Sequence, residues 1–214
     1  LPWTGPGTST QDGTTFTLAR THGLLWPIRK DLEEDGTPYR MVRGTSPWQS
    51  RAGEAYRTFT QLLGGEVVPL GAFRDAVKAL PSGAVGRGIK EQIVQYAGPQ
   101  DIDLRLAEAA LHNSLEGVRA AFRDAPYFRR IEHQHGTRGL MRTPQLQLGT
   151  IHAAKGKEAD TVNLITSWAR LPAAALQHPE GRQSEACVAY VGATRHRSQL
   201  NLIPDLPGIA YPFP

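Results

Sequence analysis

The side chains with most chemistry to offer lie between Thr150 and Val162, in the stretch TIHAAKGKEADTV. Lys155, Gly156, Lys157 and Glu158 form a turn signal carrying two ammonium groups and a carboxylate, with His152 just before it. Cations on a glycine turn suit phosphate, and the usual solution is a loop of the form G-x-x-x-x-G-K-[ST]. The chain has one Gly-Lys pair, Gly156-Lys157, with Ile151 where the first glycine of such a loop belongs and Glu158 where the hydroxyl belongs. This turn does not cradle a triphosphate as a P-loop does.

Other candidate segments promise less. EHQH (132–135) places two histidines at i and i+2 with no third or fourth ligand in view, so no metal site is expected. SGAVGRG (82–88) is glycine-rich but follows no strand, and reads as a turn. Six arginines, Arg119, Arg123, Arg129, Arg130, Arg138 and Arg142, surround Tyr127 and Phe128. They suit either the phosphates of a duplex or a solvated basic face. The formal net charge of +4 is compatible with a polyanion and does not require one. Cys187 is the single cysteine, which rules out an internal disulfide and suggests a reducing, cytoplasmic setting. No apolar run reaches the ~20 residues of a membrane helix, so no membrane partner is expected. The chain opens on Leu1-Pro2-Trp3 rather than Met, and a longer parent is expected.

The elements that must position these residues can be read from periodicity. Residues 1–14 are rich in Gly, Pro, Ser and Thr and read as a linker. TFTLAR (15–20) alternates β-formers, Leu24, Leu25, Ile28 and Leu32 recur at helical spacing, and YRMVR (39–43) reads as a strand. Strand, helix and strand in this order imply a parallel sheet. Pro27 is tolerable only near the first turn of that helix, which Asp35-Gly36 ends. From 45 to 145 the apolar spacing is helical throughout: Trp48 to Leu63, Phe73 to Leu80, Ile89 to Tyr96, and a longer run Leu104–Phe122 broken near Gly117. Strand character returns in LQLGTI (146–151) and TVNLITS (161–167), followed by a loop with Pro172, Pro179 and Gly181. SEACVAYVGATRHR (184–197) reads as a helix capped by Ser184, and QLNLI (199–203) as a last strand. The Pro-rich tail 204–214 leaves no room for another element. The expectation is an α/β sheet domain in two pieces, 15–44 and 146–203, carrying an all-helical insertion over 45–145.

Three segments, in order, resemble the UvrD/Rep group of superfamily 1 DNA helicases. LARTHGLLWPIRKDLEEDGTPYRMVRG resembles the family's fourth motif and the strand after it. TIHAAKGKEADTV resembles the fifth, T-x-H-x-A-K-G-x-E, and EACVAYVGATRHR the sixth, E-R-R-x-x-Y-V-x-x-T-R-A. These motifs belong to the second RecA-like motor domain of such enzymes, a parallel-sheet P-loop NTPase-like fold without its own P-loop. The resemblance implies that the Lys-Gly-Lys-Glu turn closes over ATP bound, with its Mg2+, by a first RecA-like domain. Arg20 and Arg195 would then be arginine fingers facing the γ-phosphate. A finger is worth ~10³–10⁵ in rate, because guanidinium meets the charge that develops on the equatorial oxygens. Glu158 matches the ribose-binding Glu, with Gly156 and Lys155 beside it; Lys155 could reach phosphate or pair with Glu158. Thr150 and His152 match positions linking the nucleotide cleft to the bound strand, although a histidine in His152's place could equally be buried and satisfied. Tyr190 is expected to pack beneath the site. Arg129 and Arg130 are the DNA-binding candidates of the arginine-rich stretch.

This sequence departs from the family at Ala19, where many relatives have a Tyr that stacks on adenine. It departs again at Ala159, where a core Phe is common, and at Ala186 and Cys187, where two Arg are usual. The resemblance implies the second motor domain of an ATP-dependent helicase that travels 3′ to 5′ on single-stranded DNA or at a duplex junction. Without a P-loop or metal ligands, the chain alone is expected to be inactive. The rival reading is a nucleic-acid-binding or protein-docking module that kept the fold and lost the motor.

Overall fold

In chain order the computed structural model contains β1 (Thr15–Ala19), α1 (His22–Asp35), β2 (Arg40–Met41), α2 (Arg51–Leu63), β3 (Val68–Pro69), α3 (Leu70–Lys78), α4 (Ile89–Gln95), β4 (Asp101–Ile102) and α5 (Leu104–Leu111). It continues with α6 (Leu115–Ala120), α7 (Ala125–Met141), β5 (Leu146–Thr150), β6 (Ala159–Ile165), β7 (Ser167–Trp168), α8 (Arg170–Ala175), α9 (Pro179–Ala193), β8 (His196–Ile203) and β9 (Ile209–Ala210). The structure describes residues 13–204 and 209–210; the linker reading for 1–14 falls outside them except at its last two residues. The chain forms two compact units, residues 1–46 with 144–214, and residues 47–143.

The discontinuous unit is built on a five-stranded sheet in the order β2-β5-β1-β6-β8, parallel at every pairing. This is the α/β architecture expected of a RecA-like domain. β1 is flanked on both sides, and Thr17 and Leu18 are fully buried, as befits a central parallel strand. The connections from β1 to β2 and from β6 to β8 run in opposite directions across the sheet, so right-handed crossovers put α1 and α9 on opposite faces. Phe16, Leu18, Val162 and Leu164 form a core with Trp168 and Ala189. On strand neighbours β1, β6 and β8, the partners Thr17, Asn163 and Asn201 form a polar rung. Asn201 Nδ2 donates to Asn163 Oδ1 at 2.9 Å and Asn163 Nδ2 to Thr17 Oγ1 at 3.4 Å. A satisfied polar rung inside an apolar sheet fixes register, because a slip orphans its members. Asn163→Ala should therefore cost about 1–3 kcal/mol in a urea unfolding titration, the price of a buried group left unpaired; a loss under ~0.5 kcal/mol would show the rung to be incidental.

Several local expectations need correction. α1 starts at His22 and carries Pro27 in its second turn. The bond this proline forfeits is to the carbonyl of Gly23, close to the helix end, so the break is tolerated. The C-terminus is as read: Gly36 is left-handed (φ 68°) and returns its N–H to Leu32. The stretch after β6 holds β7 and α8 rather than a bare loop, and α9 begins at Pro179, not after a Ser184 cap. Proline suits that first position because its missing N–H would have been unpaired anyway. The final strand starts at His196, three residues early, and the tail adds β9, antiparallel to β7.

The unit 47–143 is helical but not purely so, since β3 and β4 form a short antiparallel pair, Val68 opposite Ile102. The break expected near Gly117 lies at His112–Ser114: His112 takes φ 49° and Ser114 Oγ caps α6 by accepting from Gly117 N–H at 3.2 Å. α7 is kinked at Gly136 (φ 66°, ψ 177°). Its core is aromatic, with Tyr56 stacked on Phe128 at 4.7 Å between ring centroids and Phe59 and Phe122 alongside.

Candidate functional site

The turn after β5 is wound by its own residues. Thr150, 9% exposed, accepts from Ala153 N–H through Oγ1 at 3.2 Å, and Lys157 N–H reaches Ala154 C=O at 2.9 Å. Gly156 supplies the left-handed residue (φ 78°) that lets the chain reverse into β6. Ile151, Ala153 and Ala154 are buried, so the turn lies on the sheet core while His152, Lys155 and Glu158 are exposed. Lys157 Nζ donates to Val42 C=O at 2.9 Å and ties the turn to the residue after β2.

α9 packs onto this turn through Gly192. A Cβ there would stand 3.0 Å from Leu164 Cδ1 and 3.2 Å from Ile151 Cγ1, so only glycine allows the helix this close without displacement. The helix then delivers Arg195, whose C=O accepts from Ala159 N–H at 3.0 Å at the start of β6. The Arg195 guanidinium folds back on its own helix end, donating from Nε to Val191 C=O at 2.9 Å and from Nη2 to Thr194 Oγ1 at 3.0 Å. Glu158 is paired at 3.4 Å with Arg197, not with Lys155, and both members are more than half exposed. Arg197 also lies 3.8 Å from Asp160. Backbone and side-chain hydrogen bonds from Thr14 hold the Asp160 carboxyl below its ordinary range. Glu158, Arg195 and Arg197 therefore gather at the amino ends of β6 and β8.

Arg20 is elsewhere. It follows the carboxyl end of β1, where Ala19 pairs with Thr150 and Ala19 C=O accepts from Ile151 N–H at 2.9 Å. Counted along β6, roughly eight residue steps, about 25 Å at ~3.3 Å per residue, separate it from Arg195. The structure does not bring the two arginines to one point, and it places Arg20 with Thr150 and His152. Its Nε and Nη2 hold both oxygens of Glu185, at 2.7 and 2.9 Å. That hydrogen bonding raises Arg20 above its ordinary value, against the lowering effect of burial.

One side chain faces opposite to expectation, and an alternative left open for another is decided. Tyr190 does not pack beneath the site; it is 70% exposed. His152 is exposed, which sets aside the buried-histidine reading. In the helical unit Arg129 and Arg130 are exposed on α7, Arg129 3.6 Å from Glu116. Arg119 is instead an interior residue, 11% exposed and bound to Glu132. Sequence reasoning missed Glu185 and Arg197. Glu185 heads the quoted EACVAYVG string, and a lone carboxylate among small residues was its signal. Among the described residues no cluster of His, Cys, Asp or Glu could hold a metal ion, and no helix is long and apolar enough to cross a membrane.

Residues 128–204 match the family model of the UvrD-like helicase C-terminal domain. Over that stretch the chain is similar to the C-terminal domain of UvrD-like helicases. No curated protein matches it. The UvrD-like match takes in most of α7, the turn after β5, α9 and β8, and so includes both edges of the sheet at which the candidate residues gather. β1 and Arg20 lie before it.

Proposed function

We propose that this chain provides the second motor domain of an ATP-dependent superfamily 1 DNA helicase or translocase, completing a nucleotide site whose other half is a P-loop domain. The observation that carries this reading is the Ala159 N–H to Arg195 C=O bond, which joins the KGKE turn and the Thr194-Arg195 pair at one edge. The residues fit half a site. Glu158 offers two acceptor oxygens to ribose hydroxyls, Arg195 a guanidinium to phosphate, and Lys155 with Gly156 an exposed cation on a turn. Among the described residues no His, Cys, Asp or Glu cluster fits the metal; on this reading Mg2+ is held by the P-loop domain, and the chain by itself should turn over no ATP. On this reading Arg20, roughly eight residue steps from Arg195 along β6, serves with Thr150 and His152 at the carboxyl edge, where single-stranded DNA would run, rather than at the nucleotide edge. Arg129 and Arg130 offer phosphate contacts at a strand or duplex junction.

The docking-module reading draws on two features, Glu158 paired with Arg197 and Arg195 folded onto α9. The Glu158–Arg197 pair is exposed and the Arg195 contacts are part-buried, and on the motor reading both open for catalysis. The test is steady-state, DNA-stimulated ATPase of a chain that joins this segment to a P-loop domain. Glu158→Ala should raise KM for ATP about tenfold with kcat little changed, since a ribose contact is made equally in ground and transition states. An unchanged KM would favour the docking module.

A further inference from the structure

α9 is attached to the sheet in two different ways. From Val188 onward the attachment is apolar, with Ala189 in the core and Gly192 against Ile151 and Leu164. Earlier, in the stretch Pro179–Cys187, Glu185 alone is buried, and its carboxylate is held from both oxygens by Arg20 at the end of β1. This half-helix also meets α8, with Gly181 close against Ala175, but its one buried contact with the sheet is an ion pair, so it is secured to the sheet by charge rather than by area. The guanidinium is not used up: Nη1 has no hydrogen-bond partner among the described residues, and 21% of the Arg20 side chain is open, against 6% for Glu185.

We infer that Arg20 and Glu185 form an electrostatic latch on the first half of α9, and that an oxyanion of the phosphate class opens it by taking Arg20. A guanidinium grips phosphate and carboxylate through the same planar fork, so a phosphate arriving at the exposed Nη1 corner competes for the charge that holds Glu185. Glu185, left without its partner, is a desolvated carboxylate, and moving outward to water relieves it. The released segment is continuous with the helix end that carries Arg195. The latch stands on its own geometry; only its bearing on Arg195 rests on the motor reading above.

The experiment is hydrogen exchange of the backbone amides of residues 180–187 in this chain, in inorganic phosphate and in chloride at matched ionic strength. The wild type should exchange several-fold faster in phosphate. Glu185→Gln should exchange at least about tenfold faster than wild type in chloride and respond little to phosphate, because the charge pair is already broken. Arg20→Met combined with Glu185→Leu should restore slow exchange in both salts, since apolar residues of similar volume replace a buried ion pair well. Parallel arms with oligodeoxythymidylate and with ATP separate a polynucleotide phosphate from a mononucleotide one. Equal exchange of the wild type in phosphate and chloride would overturn the latch. So would wild-type exchange rates in Glu185→Gln, or failure of the apolar pair to restore protection. None of these outcomes touches ATP turnover, so the latch and the motor reading fail separately.

Discussion

Arg195→Ala, in a chain joining this segment to a P-loop domain, should cut the DNA-stimulated kcat by ~10³–10⁵ while ATP affinity stays within about threefold. The reasoning is differential binding. A finger acts on charge that develops as the phosphoryl group transfers, so its loss falls on kcat rather than on nucleotide binding. Arg195→Lys should not rescue activity, because an ammonium lacks the planar fork. Arg20→Ala becomes the informative companion. With Arg20 about 25 Å from Arg195 along the sheet, its loss should spare the chemical step and appear in the response to DNA. Single-turnover ATP hydrolysis at saturating DNA, beside nucleotide titration of the same variants, separates the cases. A near-normal kcat for Arg195→Ala would make the end of α9 scaffolding.

The helical unit should respond most strongly at Arg119. Its Nη1 donates to Glu132 Oε1 at 2.6 Å and Thr60 Oγ1 at 3.0 Å, its Nη2 to Glu116 at 2.8 Å, and its guanidinium lies 4.9 Å from the Tyr56 ring centroid. Tyr56 in turn donates its hydroxyl to Glu132 at 3.0 Å, and burial pushes that phenol above its ordinary value. Removing Arg119 leaves Glu132 a mostly buried carboxylate with one neutral donor. Arg119→Met should cost about 3 kcal/mol in urea unfolding, and Arg119→Met with Glu132→Leu and Tyr56→Phe, which leaves no hydroxyl unpaired, should recover most of it. A single-variant loss under ~1 kcal/mol would show the network to be peripheral.

What the sequence made legible was the part written in periodicity and in motif strings. Alternation found β1, β-branched and apolar runs found β5 and β6, helical spacing found the stripe of α1 and the helical character of the middle of the chain, and TIHAAKGKEADTV with EACVAYVGATRHR pointed to the UvrD-like resemblance that the family model matches. The start of α9 was hidden because its first two turns carry no apolar stripe; they are exposed except at Gly181, close against Ala175, and at buried Glu185. The two-residue strands were hidden because so short a pairing has no period. The separation of Arg20 from Arg195 was within reach: one follows a strand and the other precedes one, and parallel strands send those positions to opposite edges. Matching by motif order carried no such polarity. Arg119 looked like its surface neighbours because composition does not reveal which arginine turns inward.

The strand order has a consequence for how the molecule is made. β5 is seated between β1 and β2, with Leu146 beside Thr15 and Gln147 beside Arg40. The two early strands thus have no common neighbour until the ribosome has emitted the whole stretch 47–143. At ~5–20 residues per second that is a wait of roughly 5–20 s. Over that interval the amino-terminal piece offers unpaired strand edges, while the helical unit, with its contacts mostly between neighbouring helices, can fold at once. Its early compaction shortens the effective tether between β2 and β5, lowering the entropy of closing a loop that a random coil of that length would make costly. The helical unit in this way serves as a spacer whose early folding favours zipping of the sheet.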